Sequence, residues 1–217
     1  MKKIVILVLA VLFMCSIAYA DDYEQKIKDR SDEAVKECKT FEEKVLALRR
    51  YVDKRMKFPE PRLKNGRNLV PEDIYPLNTL ERLDSGLGGW CDQQAHVFIR
   101  LAQKQNITTR MIYLIARPPR TEQHTIVEAL SPDGRWVVVS LDPIHGFEPF
   151  TKDGKIATRE DMANYKDILR NNSKVKEFAE KESQWRDEDY ISMFTNPPLR
   201  IFSDEETINL FLRDKKT

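Results

Sequence analysis

Residues 86–105 read GLGGWCDQQAHVFIRLAQKQ, and this stretch determines how the rest of the sequence is interpreted. The glycines before Cys91 break regular structure. After Cys91 the apolar residues recur at helical spacing and form one stripe, which contains Ala95, Phe98, Ile99, Leu101 and Ala102. The pattern predicts a buried helix that begins at Cys91 and runs to about Gln105.

Three candidate strands follow this helix, at residues 109–116, 124–130 and 136–141. Pro132-Asp133-Gly134 is typical of a turn, so the last two strands are expected to form an antiparallel hairpin. His124 then lies near the start of one strand, and Asp142 lies just past the end of its neighbour. Because antiparallel partners lie side by side, we expect these two residues to be neighbours.

Cys91, His124 and Asp142 together form a candidate catalytic triad. A helix N-terminus stabilises a thiolate, and in such settings the pKa of a thiol falls to about 3.5–7.5. Histidine is suited to accept and return a proton near neutral pH. A carboxylate beside it holds the imidazole in the required tautomer and stabilises its charged form. Trp90 is placed to wall this site.

Other roles for the histidines stay open at this point. His96 lies off the face of the helix that carries Cys91 and is expected to be a packed or surface histidine. His145 follows Asp142 closely and reaches the same site through its loop. A zinc site formed by Cys91, His124, Asp142 and His145 has suitable residue types but lacks the usual paired ligand spacing.

A disulfide is the structural alternative to a catalytic Cys91. The chain has three cysteines, and Cys15 lies in an N-terminal segment that we expect to be removed. Cys38 and Cys91 remain, and an exported protein permits them to pair. Cys38 is predicted at the end of a helix, whereas the surroundings of Cys91 are typical of a reactive thiol.

The segment before the glycines is predicted to be helical and then irregular. A first helix is expected over residues 22–39 and a second over 41–58, where Thr40 and Glu43 form a capping box. Prolines end the second helix and recur through residues 59–79, which are predicted to be an irregular loop. Residues 80–83 are expected to form a short helical turn.

The remainder of the chain is predicted to be a helical extension, with helical patterns near residues 159–169, 173–184 and 203–212. The chain therefore divides into a signal peptide at 1–20, a helical lead-in at 21–40, a catalytic core at 41–150 and a helical C-terminal extension at 151–217.

The N-terminus has the features of a secretory signal peptide. Lys2 and Lys3 precede an apolar run over residues 4–14, and Ala18-Tyr19-Ala20 is an A-x-A cleavage site. We expect cleavage after Ala20 and a periplasmic or secreted protein without a stable membrane span. A retained anchor and lipidation at Cys15 are the alternatives.

Net charge argues against two classes of partner. The formal charge is +1, and loss of Lys2 and Lys3 with the signal leaves 34 basic and 35 acidic residues, or −1. Such a balance gives no electrostatic reason to expect nucleic acid or an anionic membrane as partner. The oligomeric state is left open by the sequence.

Several blocks in these segments resemble the transglutaminase-like superfamily. They are residues 89–98 (GWCDQQAHVF), 106–110 (NITTR), 124–128 (HTIVE) and 134–139 (GRWVVV), with Asp142-Pro143 after them. The resemblance covers roughly residues 41–143. It implies an α+β, papain-like core in which the nucleophile helix packs on an antiparallel sheet, with helical N- and C-terminal extensions. It also carries Cys91 as nucleophile, His124 as base and Asp142 as orienting acid.

The resemblance implies an exported thiol enzyme that acts on amide bonds of a peptide or protein through a thioester, by hydrolysis or acyl transfer. A cell-envelope component is a further possible substrate. No metal or organic cofactor is required by this chemistry, and the family also includes inactive relatives. The alternative is a binding module that holds a peptide or a cell-envelope glycan in the same cleft.

The sequence also offers candidates for the oxyanion donors and for structural residues around this site. The backbone N–H of Cys91 is a natural oxyanion donor. A side-chain donor is expected from Asn68, Tyr75 or Asn78. Arg110 and Trp136, which match family positions, are expected to have a structural role.

Overall fold

The structure is a computed structural model that describes part of the chain. It describes residues 21–56, 63–64, 67–68, 77–86, 89–115, 123–139, 148–151, 153–170, 192–194, 196–203 and 205–207. The helices are α1 (residues 21–35), α2 (Phe41–Arg55), α3 (Thr79–Asp84), α4 (Cys91–Gln103), α5 (Arg159–Asn164) and α6 (Asp167–Arg170). The strands are β1 (Leu63–Lys64), β2 (Arg67–Asn68), β3 (Thr109–Ile115), β4 (Gln123–Leu130), β5 (Trp136–Val139) and β6 (Arg200–Ser203).

A four-stranded antiparallel sheet forms the centre of the fold, in the order β5-β4-β3-β6. β3 pairs with β4 over its whole length, from Thr109 opposite Ala129 to Ile115 opposite Gln123. The predicted turn joins β4 to β5, with Gly134 at φ +83°, a backbone conformation that glycine adopts at low cost. This result confirms the α+β fold with an antiparallel sheet.

The two faces of the sheet are covered by different helices. Met111 and Val127 belong to a core cluster that includes residues of α2 and α4, whereas Ile112 and Ile126 belong to a second cluster that includes residues of α5 and α6. Because neighbouring residues of a strand point to opposite faces, odd-numbered positions of β3 and β4 face α4 and even-numbered positions face away from it. This alternation decides which strand residues lie beneath α4.

The short connection between α4 and β3 fixes which ends of these elements meet. Asn106 adopts φ +56°, and Ile107 N–H donates to Ala102 O at 3.1 Å, so the chain reverses at this point. α4 packs on both β3 and β4, and its 13 residues have about the same length, ~20 Å, as β3. The N-terminus of α4 therefore lies at the end of the sheet where β3 ends and β4 begins.

The lead-in helices follow the sequence prediction, with one change. Thr40 and Glu43 form the predicted capping box at the start of α2. The first helix was predicted to reach residue 39, but α1 ends at residue 35. The Glu43 carboxylate accepts from Lys39 N–H at 2.7 Å as well as from Thr40 N–H at 2.9 Å. Both residues are therefore drawn into the cap of α2, and α1 ends before them.

The C-terminal part differs more from the prediction. The helix predicted at 159–169 is two short helices, because Tyr165 leaves helical geometry after α5. β6, which pairs with β3 and forms an edge of the sheet, was not predicted. The helix predicted at 173–184 lies outside the described residues, and that at 203–212 is described as helical only over 205–207.

Candidate active site

Cys91 is the first residue of α4, as the sequence predicts, and its side chain is half-buried. Trp90 is the N-cap residue, in extended geometry at φ −73° and ψ 170°. The first turn of a helix presents backbone N–H groups and the positive end of the helix dipole. A negative charge on Cys91 is therefore favoured by its position.

The backbone before Cys91 is held against the end of α2. The Gln94 side-chain amide donates to Met56 O at 2.8 Å and to Gly89 O at 2.7 Å. Trp90 N–H donates to the Gln93 side chain at 3.0 Å. Sequence analysis missed both glutamines, although two adjacent glutamines on a buried helix were the available signal, since buried amides need partners.

Close packing explains why residue 89 is a glycine. A Cβ atom at this position would lie 2.6 Å from Cε of Met56, so the flexible end of the Met56 side chain would have to shift. Met56 is itself completely buried at the end of α2. The glycine therefore lets the backbone before Cys91 pass close to Met56 at the end of α2.

His124 is the second residue of β4 and is only 3% exposed. It pairs with Leu114 at the end of the sheet where α4 begins. By strand alternation His124 belongs to the same row as Ile126, which faces away from α4, whereas Thr125 belongs to the row that faces α4. A contact between the imidazole and Cys91 would have to be made around the end of β4, one residue from where the strand starts.

Asp142 and His145 lie outside the described residues, as does Tyr75. Asn68, another candidate donor, lies in β2, where the structure describes its backbone. Asn78 caps α3, where its side chain accepts from Glu81 N–H at 3.0 Å. That amide oxygen is thus occupied in organising a helix end.

Tyr113 is a further residue of this region that the sequence analysis did not single out. Burial raises the pKa of Tyr113 to about 12, and the charges of Asp92 and Cys91 act in the same direction. A hydrogen bond with Thr125, its partner across the sheet, acts in the opposite direction. Tyr113 packs against the core cluster under α4 and lies near the end of β3, which is the end of the sheet where α4 begins.

Comparison with known proteins identifies the family of the chain. The sequence profile of the Transglutaminase-like superfamily matches residues 28–141, more than half of the chain. The chain belongs to the transglutaminase-like superfamily. The match covers Cys91 and His124 and ends one residue before Asp142.

A solved structure offers a more distant comparison for this transglutaminase-like chain. It is the crystal structure of a protein from Cytophaga hutchinsonii described as a "putative cysteine protease", with a TM-score of 0.40 and 20% sequence identity. The alignment covers 65% of this chain and 44% of the other, so the chain spans less than half the length of that protein. No curated protein matches the sequence.

The other histidine of α4 has a packing environment in this transglutaminase-like domain. Arg82 of α3 lies 3.0 Å from Nδ1 of His96, and both side chains are buried. Because a guanidinium has only N–H donors, Nδ1 of His96 acts as the acceptor. His96 therefore joins α3 to α4, as expected for a packed histidine.

Arg110 and Trp136 have the structural role that the sequence suggests. The Arg110 guanidinium lies 4.1 Å from the centre of the Trp136 ring, and its Nε donates to Glu128 at 2.6 Å. Glu128 is 1% exposed and also lies 3.6 Å from Nε of Arg159, the first residue of α5. These charges connect three strands and a helix on the face away from α4.

Neither Cys38 nor Cys91 forms a disulfide in the structure. Cys38 lies between α1 and α2, where its thiol donates to Glu43 O at 3.4 Å. Burial and the Glu43 charge raise the pKa of the Cys38 thiol. Cys38 is therefore a suitable reference for an unactivated thiol in the same molecule.

The described residues contain neither a cluster of metal ligands nor a membrane-spanning helix. No three His, Cys, Asp or Glu side chains among them are grouped as metal ligands, and two members of the zinc alternative, Asp142 and His145, lie elsewhere in the chain. No helix in the described part of the chain has the length and apolar character to cross a membrane.

Proposed function

We propose that this protein is an exported thiol enzyme that cleaves or transfers amide-linked acyl groups of a peptide or protein. Cys91 is the nucleophile, His124 the general base and acid, and Asp142 the residue that orients His124. The observation that carries the proposal is the position of Cys91 as first residue of α4, at the end of the sheet where β4 and His124 begin.

The chemistry follows from the properties of these side chains. The Cys91 thiolate attacks the amide carbonyl carbon, and the tetrahedral intermediate collapses with cleavage of the C–N bond. The leaving amine takes a proton from the His124 imidazolium, and a thioester remains on Cys91. Water or a second amine then attacks the thioester carbonyl carbon and gives a proton to His124. The C–S bond breaks, an acid or a new amide leaves, and the Cys91 thiolate is restored beside the His124 imidazolium.

The role of Asp142 in the proposed triad is supported by the pairing register of the β4–β5 hairpin. Val139 is the partner of Val127 in the β4–β5 pair. Continuation of this register by three residues along each strand would pair position 142 with His124. A carboxylate at that position would stabilise the imidazolium formed in the first step.

Export is supported by the N-terminal sequence. The two lysines, the apolar run and the A-x-A site are the three parts of a signal peptide. The proposed place of action is the periplasm or the outside of the cell, and the proposed substrate is a peptide or protein found there. A cell-envelope component with an amide bond fits the same chemistry.

The first experiment measures the rate of alkylation of Cys91 by iodoacetamide against pH, read by intact mass and peptide mapping of the mature protein. Cys38 serves as the internal reference. We expect Cys91 to react with a midpoint at least about one pH unit below ~8.5, the ordinary value for a thiol, because the helix N-terminus and an imidazolium stabilise the thiolate. Cys38, whose pKa is raised, should react with a midpoint above that ordinary value. His124→Gln is expected to raise the midpoint for Cys91 and to leave Cys38 unchanged.

Turnover is then tested on fluorogenic peptide amides, with Cys91→Ser as the inactive variant and Cys38→Ser as the matched control. A thioester adduct at Cys91, trapped at low pH, would identify the intermediate. If Cys91 reacts like Cys38, or if the two are found joined in a disulfide, the thiol-enzyme proposal is wrong. A reactive Cys91 that forms no acyl adduct with any amide would instead favour the binding module.

A further inference from the structure

The side chains beneath the first turn of α4 come from β3 and β4. Tyr113 lies in the α4-facing row of β3, with Met111, and pairs across the sheet with Thr125. Its ring packs edge-to-face on Phe202 of β6, with centroids 5.3 Å apart. Phe202 is in turn covered by the Arg200 guanidinium, 4.1 Å from its ring centre. Tyr113 is thus held on both sides at the end of the sheet where Cys91 lies.

Helical periodicity determines which residue of the first turn points toward this row. Cys91 precedes Ala95 by four residues and Phe98 by seven, and both of these are completely buried in the cluster between α4 and the sheet. Asp92 instead precedes His96 by four residues, and His96 faces Arg82 of α3. Because residues four or seven apart lie on one face of a helix, Cys91 lies on the sheet-facing stripe. Asp92 precedes both His96 and the buried Ile99, so it lies between the α3 contact and that stripe.

The phenol is a donor over the whole physiological pH range. Its pKa is raised to about 12, first by burial and then by the nearby negative charges of Asp92 and Cys91. The hydrogen bond with Thr125 lowers the pKa, as expected when the threonine hydroxyl donates to the phenol oxygen. That arrangement leaves the phenol O–H to donate to a third group.

From this geometry we infer that the Tyr113 hydroxyl donates a hydrogen bond to the Cys91 thiolate and stabilises it for attack on substrate. The inference rests on the proposed function, since it assigns a further residue to the same thiol site. The charged and titratable groups that act on Tyr113 are Asp92, Cys91 and Arg200.

The test is the pH profile of Cys91 alkylation in Tyr113→Phe, which keeps the ring that packs on Phe202 and removes only the hydroxyl. Loss of a hydrogen bond to a charged acceptor is expected to raise the alkylation midpoint by about one pH unit, equal to about a tenfold loss of rate below the midpoint. Tyr165→Phe is the matched control, because Tyr165 is exposed at the end of α5. It is expected to leave the profile unchanged.

Asp92 is the competing acceptor for the same hydroxyl, so the effect is measured again in Asp92→Asn. If Tyr113 serves the thiolate, Tyr113→Phe raises the midpoint by a similar amount in both backgrounds. If the shift disappears in Asp92→Asn, the hydroxyl acts on Asp92 and the inference is overturned.

The failures of the two proposals are distinguishable. A wild-type Cys91 that titrates like Cys38 refutes the thiol-enzyme proposal before Tyr113 is considered. A wild-type Cys91 with a lowered midpoint that Tyr113→Phe does not change refutes the role of Tyr113 alone. Thermal unfolding of each variant excludes a general loss of structure as the cause of a shift.

Discussion

At the residue scale, a side chain at position 89 is expected to displace the end of the Met56 side chain. Gly89→Ala places a Cβ atom 2.6 Å from Cε of Met56, which is completely buried. Overpacking of this kind costs typically 1–3 kcal/mol, and we expect a loss of about 2 kcal/mol in the free energy of unfolding. Urea denaturation of the mature protein measures this loss.

Met56→Val provides the control for the Gly89 prediction, because it removes the end of the side chain that the new methyl would meet. In the double variant, Gly89→Ala should cost at least about 1 kcal/mol less than in the wild type. If the cost is the same in both backgrounds, the contact with Met56 is not the reason for the glycine.

Sequence alone predicts residues whose chemistry is visible in their type and misses those whose role depends on a partner. Cys91 is predicted because glycines and then a helical stripe announce a helix start there. Gln94 and Tyr113 are missed because the groups they meet, Met56 O and the first turn of α4, are distant in sequence. Those partners are brought together only when α2, α4 and β3 pack on each other.

At the element scale, Gln94 is expected to join the N-terminus of α4 to the C-terminus of α2. Its amide donates to Met56 O and Gly89 O, two carbonyls that a hydrophobic side chain would leave without this donor. Gln94→Met keeps the volume but removes both hydrogen bonds, so a loss of about 2 kcal/mol in unfolding free energy is expected. Chemical denaturation gives the magnitude, and hydrogen exchange locates the change at residues 89–94.

Gln103→Met is the matched control for this prediction. It makes the same substitution in the last turn of α4, where the side chain is half-buried and interacts with Arg100 at 3.3 Å. A change within about 0.5 kcal/mol is expected there, as is usual for a surface position. Equal losses in the two variants would mean that methionine disfavours α4 itself and that the Gln94 contacts contribute little.

The helices and strands that the sequence predicts are those whose apolar residues recur over a long enough stretch. α4 and the β3–β4–β5 meander are long enough for apolar periodicity to be read, and the turn at Gly134 marks their connection. β6 has only four residues, Arg200–Ser203, and follows two prolines, so its alternation is too short to indicate a strand. β6 forms because β3 offers an edge with unpaired backbone groups. The residues of β6 themselves do not show that this edge is available.

At the scale of the whole molecule, the two faces of one sheet have different tasks. The face under α4 carries Tyr113 and meets the helix that begins at Cys91, while the other face is tied together by the buried Glu128 and its two arginines. The position of Cys91 is thus determined by α2 and the sheet together. A substitution far from the thiol that loosens either layer is expected to alter its reactivity.

The last prediction concerns the dependence of global stability on pH. Glu148 receives two hydrogen bonds from Arg50 of α2, at 2.6 and 2.8 Å, and a weaker contact from Arg49 at 3.4 Å. The Arg50 hydrogen bonds lower the pKa of the Glu148 carboxyl, and burial opposes them. A carboxyl with a lowered pKa in the folded state stabilises the fold above its ordinary pKa, ~4.3, and loses that contribution as the pH falls through the folded-state pKa.

Glu148→Gln should therefore lower the free energy of unfolding at pH 7 by about 1 kcal/mol, and the difference from wild type should shrink as the pH falls below about 4. Urea denaturation at pH 7, 5 and 3.5 measures both effects. Glu160→Gln is the control, because Glu160 is an exposed glutamate on α5 and its curve should run parallel to the wild type. If the Glu148→Gln curve is also parallel, ionised Glu148 does not hold α2 against residues 148–151, and the acid sensitivity of the fold has another source.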